Sequence, residues 1–199
     1  MARIARTRQE LIEDLDQLDR SYTALLRNSS SEELNWRPAT DAWSVTQCIQ
    51  HVSRVNSIYL TPIKAAIAKG RLSGASEGDS LHTAGWFSSV FLKSVSPQGK
   101  AKLRSPRIGR PSAEPSDINA EKVLQILLGT HQEIREILTG RNQPRLNRIR
   151  FKNPFVPVLH LTVASGILVM VAHGGRHLFQ AQRLCEMQIL PKASVGKTA

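Results

Sequence analysis

The stretch VAHGGRHLFQ, Val171 to Gln180, sets two histidines four residues apart around a Gly-Gly pair. It continues directly from Phe155–Ala172, a run without a single charge. Such a run has borderline length for a membrane span. Pro157 and His160 interrupt it, however, and a polar turn follows at once. A helix apolar on all sides is also what the central member of a soluble bundle looks like. The expectation is therefore a buried helix over about 158–187 and no membrane partner. Two glycines in one turn of that helix cost about 1 kcal/mol each relative to alanine, so their presence asks for a reason. His173 and His177, at i and i+4, share one helix face about one turn apart. Two imidazoles so placed can grip one metal ion, the geometry behind the H-E-x-x-H helix. Here Gly174 follows the first histidine, so that motif is absent, and H-x-x-x-H alone equally describes two hydrogen-bonded core histidines.

Outward from this stretch, the rest of the chain reads as helical. Leu11, Leu15, Leu18, Tyr22 and Leu25 recur at steps of four and three, the stripe of an amphipathic helix over about 5–28. Ser44 and Gln47 form an S-x-x-Q capping box that starts a second helix running to about Lys69, with a kink expected at Pro62. Cys48, His51, Val55 and Ile58 share one of its faces. Val123, Leu127, His131, Ile134 and Leu138 mark a third helix over about 117–140, with Gly140 as its C-cap. Between them, Gly70–Ser116 is rich in Gly, Ser, Pro and basic residues and reads as a long irregular connector, with one short helix expected in LHTAGWFSSVFLKSV. No strand-period segment of useful length, internal repeat or nucleotide-binding glycine motif appears. The pattern predicts an all-α four-helix bundle, one domain over 1–199, with a flexible tail from about 190. The first two and the last two long helices are its natural neighbouring pairs.

Composition narrows the function classes. With 41% hydrophobic and 22% charged residues the chain is an ordinary globular protein. Two distant cysteines exclude a disulfide scaffold. The N-terminus goes straight into charged residues without an apolar signal segment, so a cytoplasmic setting is expected. The net charge of +11 is concentrated in Lys93–Arg110 and Arg141–Lys152. Either a solvated surface or an anion-binding face accounts for this. No nucleic-acid module accompanies the charge, and aromatics at 5% are too scarce for base-stacking platforms.

A metal reading of His173 and His177 needs a third ligand from another buried stripe. His51 and His131 both qualify, whereas His82 lies in the connector and His160 near the start of the last helix. Cys48, one turn before His51, reads as a small buried hydrophobe.

The stretch WRPATDAWSVTQCIQHVSRVNSIYL, with Trp43, Ser44 and His51, resembles the helix 2 signature of the DinB-like four-helix-bundle family. His173, Arg176, His177 and Gln180 are similar to the family's last-helix pattern, and the likeness covers most of the chain. The resemblance implies a divalent ion (zinc, nickel or iron) bound by His51, His173 and His177. It also implies activities such as metal-dependent hydrolysis, or S-transfer from a low-molecular-weight thiol such as bacillithiol or mycothiol. Gln47 stands where relatives often carry an acid, and the capping box accounts for it without a catalytic role. Gln47, His131 and Gln180 are candidates for the layer supporting the ligands. The connector is longer than the family's usual one.

Two functions are thus expected to compete. One is a metal-dependent enzyme acting on a small molecule, with a homodimer as the ordinary assembly. The other is a non-catalytic protein whose basic connectors engage a polyanion or an acidic partner. Fold alone does not choose between them.

Overall fold

The computed structural model describes residues 4–70, 80–97, 99, 105–140 and 145–194, with 189–194 as helix backbone. In chain order it contains β1 (Ala5–Thr7), α1 (Arg8–Arg27), α2 (Ser31–Asn35), α3 (Val45–Gly70), β2 (Ser80–His82), α4 (Trp86–Val95), α5 (Ala120–Thr139), β3 (Arg150–Lys152), β4 (His160–Thr162) and α6 (Val163–Ser194). Short 3-10 turns lie at Arg107–Gly109 and Pro115–Asp117. The four long helices are the expected bundle, and the short helix in the connector is α4.

Local chemistry sets the helix starts. Thr7 and Glu10 form a reciprocal capping box for α1, and Ser30 and Glu33 do so for α2. At α3 the expected box is present: Ser44 N–H donates to Gln47 Oε1 at 2.9 Å, and Gln47 N–H to Ser44 Oγ at 3.2 Å. Each box satisfies donors that the first turn leaves without helical partners. Helix α3 continues through Pro62. Helix α5 is capped by Asn119, whose side chain accepts from Lys122 N–H. It ends at Gly140 with φ −55°, so this glycine closes the helix without a left-handed turn.

The neighbour order differs from expectation. Helix α1 packs against α5 and α6, and α3 packs against the same two. The consecutive long helices α1 and α3 therefore sit across the bundle diagonal, as do α5 and α6. Short loops make consecutive helices neighbours. Here the 17 residues between α1 and α3, including α2, are long enough to cross the bundle end. The stripes predicted on α1 and α5 are buried, with Leu15, Tyr22, Leu127 and Ile134 inaccessible to solvent.

Two three-residue ribbons correct other boundaries. β1 pairs antiparallel with β2, Arg6 opposite Leu81, so the chain from residue 5 is strand and α1 begins at Arg8. β3 pairs with β4, Phe151 opposite Leu161, which delays the last helix from about 158 to Val163. Its far end reaches Ser194 rather than 187, so part of the expected tail is helical.

Gly166 lies where α6 crosses the second ribbon. A Cβ there would sit 2.8 Å from Phe151 Cζ and 3.2 Å from Ile63 Cδ1. At Gly129, within α5, a Cβ would meet nothing within 4 Å. Gly166→Val is therefore expected to cost about 1–3 kcal/mol through overpacking. Gly129→Ala should stabilise by up to about 1 kcal/mol through helix propensity. Urea midpoints of the two variants check both signs.

Candidate metal centre

Helices α3 and α6 run side by side, and their contact brings His51 to His173 and His177. The three ring centroids form a nearly regular triangle. His51 and His173 are 5.0 Å apart, His51 and His177 4.6 Å, and His173 and His177 4.6 Å. Each pair of rings stands at 69–75°, so edges rather than faces meet at the centre. Trp43, two residues before α3, covers the group, stacked on His177 at 5.8 Å and tilted against His51 at 4.8 Å. His51 and His177 are buried.

Hydrogen bonds fix which nitrogen of each ring is free. His51 Nδ1 lies 2.5 Å from the carbonyl oxygen of Gly109. A carbonyl only accepts, so Nδ1 carries the proton and Nε2 keeps its lone pair. His177 Nδ1 donates in the same way to Gln180 Oε1 at 3.0 Å, leaving its Nε2 free. His51 Nε2 faces His173 Nε2 at 3.2 Å. Nitrogen lone pairs that converge this closely in a buried site need a proton or a cation between them. Two nitrogens bound to one ion at about 2.0–2.1 Å are separated by about 2.8–3.4 Å for angles of about 90–110°, so 3.2 Å fits. One ligand atom from each of the three histidines lies within 4.8 Å of the others. At the same angles an ion holds its ligand nitrogens at most about 3.4 Å apart, so the widest pair would close by up to about 1.4 Å, within reach of side-chain rotation.

Electrostatics favour the neutral, ligating form of all three. Burial pushes His51 below the usual histidine range, with the Gly109 carbonyl opposing. Burial pushes His173 well below it, and His177, His51 and Arg176 add to the effect. His177 falls to about 3, chiefly through burial and then through His51, while Gln180 opposes. As a residue His173 is half-buried, yet its Nδ1 is sealed from solvent and has no hydrogen-bond partner.

The other candidates take distinct places. Gln180 supports His177 as just described. His131 Nδ1 is paired at 2.5 Å with Asp19 of α1, which also accepts from Arg135. His131 therefore belongs to a cluster between α1 and α5, and its Nε2 is buried without a partner. Cys48 is fully buried and its thiol is pushed up to about 12, so it behaves as a small apolar group. Arg176 donates to the carbonyls of Ser94, Ser96 and Gly99, holding the end of α4. His82 and His160 lie in β2 and β4.

The glycine pair has two separate causes. At Gly174 a Cβ would stand 3.3 Å from Leu18 Cδ1, and the buried Tyr22 hydroxyl donates to the Gly174 carbonyl at 2.8 Å. Gly174 thus lets α1 lie against the ligand-bearing turn. Gly175 faces away from the histidines, towards Pro97, and lines a cavity of about 810 Å³ between α1, α4 and α6.

The described basic residues of the two segments lie on several elements. Lys93 is in α4 and Lys152 in β3, while Arg107 and Arg110 are exposed around a 3-10 turn. Lys100, Lys102, Arg104 and Arg141 lie outside the described residues. Among the described residues no helix is long and apolar enough to cross a membrane.

A helical bundle with a histidine triad across two of its helices defines a class: bundle proteins able to hold a metal ion between facing helices. The profile of the DinB superfamily matches residues 14–181, and the chain belongs to that superfamily. No curated protein and no solved structure matches it.

Proposed function

We propose that the protein is a metal-dependent enzyme that transfers the sulfur of a low-molecular-weight thiol to a small electrophile. His51, His173 and His177 would be the ion's ligands. The observation carrying this reading is the convergence of three imidazoles whose neutral form burial favours, a group that among the described residues contains no carboxylate. Besides burial, the neighbouring rings and Arg176 disfavour protonation of His173, and His51 and Arg176 that of His177. A divalent ion held by three neutral ligands would keep its full charge and would supply Lewis acidity that favours the deprotonated form of a thiol.

The chain's own residues have defined tasks. His51 and His177 present lone pairs because Gly109 and Gln180 accept their Nδ1 protons. Trp43 shields both rings from water. Hydrolysis calls on a base to take a proton from water. A thiol, with a pKa of about 8.5, would be deprotonated beside such an ion more readily than water, and its sulfur is itself the nucleophile, which favours thiol transfer. The S–C bond forms, the acceptor's leaving group departs with its electron pair, and the thiol proton passes to solvent.

Untagged protein is expected to carry about one equivalent of a divalent transition metal and to lose it in the His51→Ala/His173→Ala/His177→Ala variant. Metal-loaded protein should consume free thiol in the presence of an alkylating electrophile, with the variant at background. Under a tenth of an equivalent of metal, unchanged in the variant, overturns the site. Ester cleavage independent of thiol overturns transfer in favour of hydrolysis. Binding to a polyanion that weakens steeply with salt, without either activity, favours the non-catalytic alternative.

A further inference from the structure

The Gly109 carbonyl that fixes His51 belongs to a segment whose attachment is unusually regular. Gln47, Gln50, His51 and Arg54 lie at i, i+3, i+4 and i+7 and so share one face of α3. Each of them holds the backbone of residues 109–113. Gln47 Nε2 donates to the carbonyls of Ser112 at 2.7 Å and Ala113 at 3.1 Å. Gln50 Oε1 accepts from Ser112 N–H at 2.7 Å. His51 donates to Gly109, and Arg54 Nη1 to the Arg110 carbonyl at 2.5 Å.

The strap is also shaped from within. Pro106 and Pro111 bracket the 3-10 turn, and proline fixes φ at its own position. Arg110 Nε donates back to the Ser105 carbonyl at 2.9 Å. Gly109 is buried, and a Cβ there would come within 3.3 Å of Phe155 and 3.4 Å of Val55. Its lack of a side chain is what lets its carbonyl reach the His51 ring.

We propose that this strap sets the tautomer and ring orientation of His51, and that Gln47 is the positioning residue that pins the strap in register. The inference rests on the metal site proposed above. Its physical basis is that a metal-ligating histidine is oriented by whatever accepts its second N–H. Here that acceptor is a backbone carbonyl, and its position depends on side chains one turn either side of the ligand. Gln47 is 2% exposed and uses both ends of its amide. Oε1 caps α3 and Nε2 holds the strap.

This division makes Gln47→Glu a selective test. A glutamate keeps the S-x-x-E cap but has no donor for the Ser112 and Ala113 carbonyls. Helix content by circular dichroism should be unchanged. In metal-free protein, ¹⁵N spectra should show His51 leaving the Nδ1–H tautomer. Amide exchange at 109–113 should quicken, and the dissociation constant for zinc should rise about tenfold to a hundredfold. Gln50→Ala should move the same readouts in the same direction with α3's cap untouched. An unchanged His51 tautomer and zinc affinity in both variants overturns the proposal, provided that His51→Ala abolishes zinc binding. If His51→Ala retains zinc, the metal-site reading itself falls instead.

Discussion

Replacing His173 by leucine is expected to make the metal-free protein more stable while it destroys the metal site. His173 Nδ1 is sealed from solvent with no partner, and its ring is pushed well below the usual histidine range by burial and by its neighbours. A buried polar atom without a partner costs about 1–3 kcal/mol. Leucine has no polar atom and is a good helix former, so the metal-free variant should gain up to about that much, less what the lost contact to His51 Nε2 contributes. Metal binding should move the other way. Zinc bound at a four-ligand structural site is worth about 10–16 kcal/mol in all, or about 2.5–4 kcal/mol per ligand, so losing one costs about a hundredfold to a thousandfold in affinity. The two effects separate in one pair of melts. With chelator the variant should melt above wild type. With zinc at a thousand times the wild-type dissociation constant, wild type gains about 4 kcal/mol and the variant gains little. A variant that melts below wild type in chelator would assign His173 a structural role instead.

That opposition of signs reflects what was legible in the sequence. The long helices could be read because their apolar stripes are local and periodic: Leu11, Leu15, Leu18 and Tyr22 need only each other to define a face. His51 stood out for the same reason, as a polar residue on the stripe of Cys48 and Val55. The two ribbons could not be read. Three residues are too few to establish a period of two, and Ala5–Thr7 finds its partner only at Ser80–His82. The helix order is not legible, because periodicity says which face is buried and nothing about which helix covers it. The strap was hidden for a deeper reason. Its contacts are made by backbone carbonyls of Gly109, Arg110, Ser112 and Ala113, and a carbonyl leaves no mark on residue identity. The sequence motif accounts for the cap made by Gln47 Oε1, but nothing in it marks the Ser112 and Ala113 carbonyls that its Nε2 reaches. His131 was a candidate support for the ligands, yet its partner Asp19 is 112 residues away and on a different helix.

Acid is expected to unfold the metal-free protein from a higher pH than its carboxylates require. His177 falls from the ordinary value of 6.5 to about 3 in the folded protein, and His51 and His173 are shifted in the same direction. A base whose folded pKa is depressed binds fewer protons folded than unfolded, so stability rises with pH between the two values. Full stability is therefore present above about pH 6.5 and is lost as pH falls towards the folded value. Each unit of separation corresponds to about 1.4 kcal/mol per group. Between pH 6.5 and 4.5, most of which lies above the ordinary carboxylate range, His177 alone should cost about 2–3 kcal/mol. A His173→Leu/His177→Leu variant should lose most of this slope and keep the carboxylate-driven fall below pH 4.5. The same depression protects the site from proton competition. Ligands must be neutral to bind, and burial lowers all three, His173 and His177 furthest, so zinc affinity should fall less between pH 8 and about pH 6 than at a site of exposed histidines. A tenfold or larger loss of affinity over that interval would mean that the histidines titrate like exposed ones, and that the bundle does not seal them as its geometry implies.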